Sequence, residues 1–418
     1  MARSLRFCMV TTFYPPYHFG GDAVYVYRLS EALAEAGHRV DVVHSIDAFR
    51  LKQPAGPDIA FSHHANVTVH SLETSAWRTS SLAAHQLGEP ARYEGSLREI
   101  LDGGEYDVIN FHNVSLVGGP GVLAYGRGVK LYTAHEYWLV CPTHSLFKFD
   151  RYACVERRCL RCTVVHYRRP PQVWRSTGAV HRALEHVDCV ITPSRFSLEK
   201  HRELGIERPI VHLPYFVPTV EAEHPHRSPL DAADAPSRPF FLYVGRLEKL
   251  KGVHDLVRLF REYREADLVI VGSGSLSDEL RAAARDLPHV RFIGKMHPDA
   301  LGELYRNAIA LLVPSLCYET FGLTLAESLS HATPVIARRI GALPEILEQS
   351  GGGLGFDDLR ECREAMERLR LDPDLRAVLG RRGQLAARRY WSPEAHLSAY
   401  LALAERFLPR VPAVSEVG

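Results

Sequence analysis

The chain has 418 residues, 46% apolar and 24% charged, a balance that suits a well-packed globular protein too long for one ordinary hydrophobic core. Its 50 Lys and Arg nearly cancel 49 Asp and Glu, which excludes a general binder of nucleic acid or other polyanions but leaves room for a local basic patch. No apolar run approaches the roughly 20 residues that a membrane-spanning helix needs.

Arg6 to Thr12 is short, apolar and β-branched at its end, and predicts a buried first strand. Tyr14-Pro15-Pro16 cuts that stretch too early for a signal peptide. The expected compartment is therefore the cytoplasm, where eight cysteines favour metal binding or plain burial over disulfides. Phe13 to Gly21 is a Pro- and Gly-rich loop. From Asp22 to Ala36, Val26, Leu29 and Leu33 recur at helical spacing, with Gly37 as the stop. A strand over Val40 to His44 completes the opening βαβ of a parallel sheet.

Further strands are expected at Val67 to His70, Asp107 to His112, Lys130 to Ala134 and Val187 to Thr192. Lys52 to Pro90 carries no clear period. A Pro-rich stretch with Pro225, Pro229, Pro236 and Pro239 marks a linker over 216–239, which separates domains at 1–215 and 240–392. The second domain should hold strands at Phe240 to Val244, Asp267 to Val271, Val290 to Ile293, Ala310 to Val313 and Pro334 to Ala337. Its helices are expected at Val253 to Arg264, Leu276 to Asp286, Leu301 to Asn307 and Leu323 to Ser330. A last helix, about 393–410, is expected to pack back onto the first domain. The fold class is α/β: two Rossmann-like, doubly wound parallel sheets whose carboxyl edges face a central cleft.

Two runs carry the chemistry. Gly245-Arg246-Leu247-Glu248-Lys249-Leu250-Lys251-Gly252 leads from a strand into a helix. A helix start flanked by the cations Arg246 and Lys251 suits a diphosphate; the plain alternative is a solvated loop. Then come Pro314-Ser315 and Tyr318-Glu319-Thr320-Phe321-Gly322-Leu323-Thr324-Leu325-Ala326-Glu327. A helix starting near Gly322 would carry Glu327 on its first or second turn, with Glu319 just before it. Such carboxylates can accept hydrogen bonds from sugar or ribose hydroxyls, although a Glu near a helix start is also ordinary capping.

Gly245-Arg246-Leu247 with Lys251-Gly252, followed by Glu319-x7-Glu327, closely resembles glycosyltransferase family 4, the retaining GT-B enzymes. Pro15-Pro16, Gly20-Gly21, Gly37-His38-Arg39-Val40 and Thr192-Pro193-Ser194 agree. The resemblance is weak from about Lys52 to Gly104 and through the linker. It implies a sugar transferred with retention from a nucleotide-diphosphate sugar, without a cofactor or catalytic metal. Arg246 and Lys251 would hold the donor diphosphate and Glu327 the ribose. Glu319 would lie against the donor sugar with the backbone of Phe321, Gly322, Leu323 and Thr324. His135 would face the sugar from the first domain, and Gly20 and Gly21 would line the cleft. Gly272-x-Gly274 fits a nucleotide-contacting loop, though a lone GxG is weak evidence. For His135 the plain alternative is a buried, hydrogen-bonded histidine.

Half of the cysteines lie within 22 residues: Cys141, Cys154, Cys159 and Cys162. Four thiolates close a tetrahedral zinc site, and a C-x2-C pair supplies two ligands from one turn. Structural zinc stands beside two alternatives, free buried cysteines and an iron–sulfur or disulfide role. Around them are Arg151, Arg157, Arg158, Arg161, Arg168, Arg169 and Arg175, interleaved with Tyr152, Tyr167 and Trp174. They form a solvated face or a patch for anionic lipid, at the inner face of the membrane, or for a phosphate-bearing acceptor. Acceptor choice is expected in the poorly patterned stretch with His63-His64 and Trp77. The acceptor, donor sugar, nucleotide base and oligomeric state are not readable. Two rivals remain open: a nucleotide-sugar epimerase of the same architecture and a non-catalytic nucleotide-sugar-binding protein.

Overall fold

The computed structural model describes residues 3–57, 59–218 and 238–408. The predicted linker, with Pro225, Pro229 and Pro236, lies outside the described residues except at its ends. The chain opens with β1 (Arg6–Val10), β2 (Arg39–Ser45), β3 (Val67–Leu72), β4 (Val108–Phe111) and β5 (Val129–Thr133). A two-stranded antiparallel hairpin, β6 (Phe147–Lys148) with β7 (Tyr152–Ala153), interrupts the series. β8 (Cys189–Thr192) and β9 (Ile210–His212) then complete a parallel sheet in the order β3-β2-β1-β4-β5-β8-β9.

The second sheet holds β10 (Phe240–Val244), β11 (Asp267–Val271), β12 (Val290–Gly294), β13 (Leu311–Val313), β14 (Val335–Arg338) and β15 (Gly353–Phe356). Its order is β12-β11-β10-β13-β14-β15, again all parallel. Helices cover both faces, so the central strands are buried on either side and read as unbroken apolar runs such as Phe7 to Val10 and Leu268 to Val271. Strand order reverses between β1 and β4 in one sheet and between β10 and β13 in the other. At such switch points the following loops diverge and leave a crevice beyond the carboxyl ends. The GT-B architecture, two α/β units of this kind, is present.

The helix Pro393–Glu405 packs on the helix Gly21–Glu35 and the first sheet. The Tyr25 hydroxyl and His396 Nε2 share a hydrogen bond of 2.9 Å, and Asn110 donates to the Tyr400 hydroxyl at 3.0 Å. Among the described residues no helix is long and apolar enough to cross a membrane.

Several elements escaped the periodicity reading. The unpatterned stretch folds in part into the helix Trp77–Leu87, whose buried face is Ser80, Ser81 and Ala84. Small polar residues bury there by hydrogen bonding (Ser81, Tyr93 and Ser45 hydroxyls meet in pairs), so no apolar stripe betrays the helix. The helices Glu94–Gly103, Arg195–Glu203, Leu343–Ser350, Leu359–Leu371 and Pro373–Tyr390, and the edge strands β9 and β15, were also missed. The helix expected over 253–264 ends at Phe260.

Candidate active site

The loop after β10 and the loop after β13 meet at the second switch point. Gly252 takes φ +71, and a Cβ there would come within 2.1 Å of the Pro314 carbonyl oxygen. Only glycine lets the two loops approach so closely. This seats Lys251 beside Glu319: its Nζ donates to Glu319 Oε1 at 2.6 Å, and the Ser315 hydroxyl donates to the same oxygen at 2.5 Å. Burial pushes the Glu319 carboxyl up, but Lys251, Ser315 and the nearby Arg246 charge more than offset it and hold it below the ordinary glutamate value. The Arg246 side chain itself is exposed toward the cleft, while its carbonyl is fixed by the Tyr243 hydroxyl at 2.8 Å.

Gly322, at φ +99, starts the helix Leu323–Ser330. Glu327 lies on its second turn and is gripped from both units. Arg28, on the helix Gly21–Glu35, reaches Glu327 Oε1 at 2.9 Å, and the Tyr305 hydroxyl donates to Oε2 at 3.2 Å. A Cβ on Gly21 would lie 3.4 Å from the Leu323 side chain. The N-termini of the helices Gly21–Glu35 and Leu323–Ser330 therefore approach each other across the crevice, and their free N–H groups make a positive end on both walls.

Across the cleft stands His135, just beyond β5. Its backbone carbonyl accepts from the Thr320 hydroxyl at 2.8 Å. Its imidazole is buried: Nε2 shares a hydrogen bond of 2.9 Å with His112 Nδ1, and Nδ1 shares one with the Tyr215 hydroxyl. Burial lowers its pKa to about 4, so the ring is neutral at neutral pH. Both ring nitrogens are thus engaged within the protein. Tyr215 in turn meets Phe321 edge to face, ring centroids 5.3 Å apart.

Four further residues, three at the site and one that ties the two units together, carry no signal in the sequence. Glu136 follows His135 and accepts from Asn113 at 3.2 Å and pairs with His144 Nδ1 at 2.7 Å. Burial raises its carboxyl, yet His144, Arg246 and His135 keep it ionised below the usual range. Lys52 lies with its ammonium 5.8 Å and 5.4 Å from the Phe13 and Phe19 ring centroids; burial, with Arg246 and Arg169 near, lowers its pKa. Arg28 is described above. Glu345 caps the helix Arg195–Glu203 from the other unit, its two oxygens accepting from Arg195 N and Phe196 N at 3.0 Å each. Only the tertiary pairing identifies these residues; their local sequence carries no signal.

The remaining expected residues take the following places. A Cβ on Gly272 would sit 1.9 Å from the Gly245 carbonyl oxygen, and one on Gly274 would sit 2.5 Å from that of Leu247. Both glycines act as a backbone buttress behind the Arg246 loop. The single Asp-x-Asp spacing, Asp372-Pro373-Asp374, is a helix start, with Asp372 accepting from Leu375 N at 2.8 Å. Arg175 and Trp174 leave the basic patch: Arg175 stacks inward on Trp138 and Trp174 at 5.3 Å and 4.5 Å. Arg151, Arg157, Arg158, Arg161, Arg168 and Arg169 are exposed. Cys141, Cys154, Cys159 and Cys162 are free thiols that line one cavity. Among the described residues no three His, Cys, Asp or Glu side chains stand ready as metal ligands.

Residues 20–215 match the family model described as a glycosyl transferase 4-like domain, and residues 231–386 match glycosyl transferases group 1. Together the two matches take in most of the chain. The chain belongs to the family 4 type of GT-B glycosyltransferases. Several similarities within the family are partial: a D-inositol 3-phosphate glycosyltransferase of Acidothermus cellulolyticus is 42% identical over 187 residues, 40% of this chain and 41% of that protein. The chain thus spans about two fifths of that relative. A glycogen synthase of Mycobacterium tuberculosis is 28% identical over 451 residues, 98% of this chain and 97% of that protein. Among solved structures, this GT-B chain is similar to a sucrose-phosphate synthase from Thermosynechococcus elongatus, with TM-score 0.72 and 21% identity over 97% of this chain and 99% of that one. It is similar also to Anabaena HepE in complex with UDP and glucose, with TM-score 0.67 and 15% identity over 96% and 100%. At these identities the structural likeness speaks to the fold.

Proposed function

We propose that this GT-B protein transfers a sugar, with retention, from a nucleoside-diphosphate sugar to an acceptor hydroxyl. The observation that carries the reading is the Lys251–Glu319 pair beside the exposed Arg246, in a crevice walled by two helix N-termini. In this reading the diphosphate lies against Arg246, Lys251 and the start of the helix Leu323–Ser330. Glu327 releases Arg28 to take the ribose hydroxyls, and Glu319 accepts from the donor sugar. His135 presents a neutral ring and a fixed backbone edge to the sugar from the other wall. The HepE complex with UDP and glucose makes uridine donors the first to test on this chain.

As the anomeric carbon–oxygen bond breaks, negative charge grows on the leaving phosphate. A unit charge about 4 Å away at an effective dielectric of 20 contributes ~4 kcal/mol before desolvation costs. Fixed cations therefore help the transition state more than the ground state. The acceptor oxygen bonds to the same face of the carbon, and its proton passes to the departing phosphate oxygen. No protein nucleophile or metal enters this scheme. Cytoplasmic residence and a role in glycan assembly belong to the same proposal.

The test is a nucleotide-sugar panel read first by thermal stabilisation and then by nucleoside-diphosphate release with and without candidate acceptors. Release that requires an acceptor, with the anomeric configuration kept in the product, is the expected result. Isomerised donor without acceptor would establish an epimerase instead. Stabilisation without turnover across the acceptor panel would establish a binding protein.

A further inference from the structure

We propose that Cys141, Cys154, Cys159 and Cys162 bind one structural zinc ion that ties the 141–162 segment together beside the cleft, a site independent of the donor reading. The four sulfurs come from three separate turns of chain. Cys141 ends the tight turn after His135, with its N–H donating to the Tyr137 carbonyl at 2.8 Å. Cys154 follows the hairpin β6–β7, and its N–H returns to the Leu146 carbonyl at 2.7 Å. Cys159 and Cys162 sit on one helical turn, a spacing that offers two sulfurs to one point. All four line a single cavity.

The surroundings suit a tetrathiolate. Zinc with four thiolates carries a net charge of about −2, and Lys148, Arg157 and Arg158 line the same cavity. The Phe149 N–H already points at Cys162 Sγ at 3.3 Å, the backbone hydrogen bond that a thiolate ligand accepts. The four side chains are not set as ligands as they stand, so binding requires them to turn toward one point. On binding, four S–H bonds give way to four Zn–S bonds and the protons pass to solvent, so affinity falls in acid.

The segment also needs a tie. Leu146 and Phe147 are buried, but other apolar side chains of the segment are outside: Val155 is 82% exposed, Leu160 68% and Val165 60%. Five non-glycine residues hold positive φ between positions 144 and 168, namely His144, Leu146, Phe149, Asp150 and Arg168. Each such residue costs of order 1 kcal/mol or more. A segment with so thin a core and so much unfavourable backbone is the kind that metal ligation stabilises. What it positions is at the cleft: Asp150 pairs with Lys249 of the Arg246 loop at 3.2 Å, and His144 orients Glu136.

Elemental analysis of the full-length protein, purified without chelator and under reducing conditions, tests this. About one zinc per chain is expected, lost in Cys159→Ser and Cys162→Ser and kept in Cys362→Ser, whose cysteine lies in the core of the other unit. Cobalt exchanged for zinc should show the d–d bands of tetrahedral thiolate ligation. If the Ser variants do not fold, the wild-type metal content and the protection of four thiols from alkylation until a chelator is added decide the matter. Less than about a tenth of an equivalent of zinc in wild type, even after incubation with zinc, overturns the proposal. So does stoichiometric iron, a native disulfide among these cysteines, or undiminished zinc in Cys159→Ser.

Discussion

The two units bring different kinds of backbone to the same cleft. On the six-stranded side, the site loops are short links from strand to helix, and among the described residues of that unit one non-glycine residue, Ala332, has positive φ. On the seven-stranded side, six such residues occur, five of them in the segment after His135. The histidines are divided unevenly too: among the described residues His18, His44, His85, His135 and His201 of the first unit, and His396 on the helix packed against it, are lowered by burial to about 4, whereas in the six-stranded unit His331 alone is lowered to about 4. The six-stranded wall is thus a regular scaffold with charges set at its rim. The opposite wall is an irregular one, held by buried polar contacts. Under the proposed function, uniform donor chemistry would fall to the first kind of wall and variable acceptor contacts to the second.

The largest effect should come from the regular wall. Lys251→Ala is expected to lower turnover ~10²-fold or more, the scale of a lost charge-stabilising group. It also strands the Glu319 carboxylate, so the variant should melt lower. The double variant Lys251→Ala/Glu319→Gln should regain melting temperature but not turnover, because it removes the stranded charge without restoring the cation. Recovery of turnover in the double variant would remove Lys251 from the chemistry.

The irregular wall should fail first in acid. An unfolded histidine takes up a proton below about 6.5, whereas these folded ones resist until about 4. Unfolding therefore absorbs protons in that window, and stability falls as pH drops from about 6.5 toward 4. Hydrogen exchange at pH 5 against pH 7 should show the seven-stranded sheet loosening before the six-stranded one. Equal loosening of both would erase the contrast. Glu319 adds a smaller loss at lower pH: its depressed pKa means its stabilisation is complete above the ordinary glutamate range and disappears as pH falls through the folded value.

The ties between the walls should give smaller effects. Glu345→Ala removes a two-pronged cap from the helix Arg195–Glu203 and is expected to cost about 1 kcal/mol, read as a lower melting temperature. Arg28→Ala frees Glu327 from its cross-cleft partner. Donor KM should fall about fivefold, a gain of roughly 1 kcal/mol, with kcat little changed. A rise in KM would mean that Arg28 binds donor rather than competing with it.

Much of the second unit was legible from sequence because its strands are unbroken apolar runs and its helix starts carry glycine: Phe240 to Val244, Gly252 and Gly322 announce themselves. The charges expected around one crevice, Lys251, Glu319 and Glu327, follow from those same strand–loop–helix links, since a short loop leaves a side chain little freedom of place. Long-range partners were beyond reach. Arg28 on Glu327, Glu345 on the helix Arg195–Glu203, Tyr215 and His112 on His135, and Gly272 against Gly245 pair residues tens to hundreds of positions apart. Local periodicity records which face of an element is apolar; it holds no information on which distant element covers that face. The first unit's serine-lined helix and its segment of positive-φ residues were opaque for the same reason: hydrogen bonds and packing from elsewhere, rather than their own pattern, hold them in place.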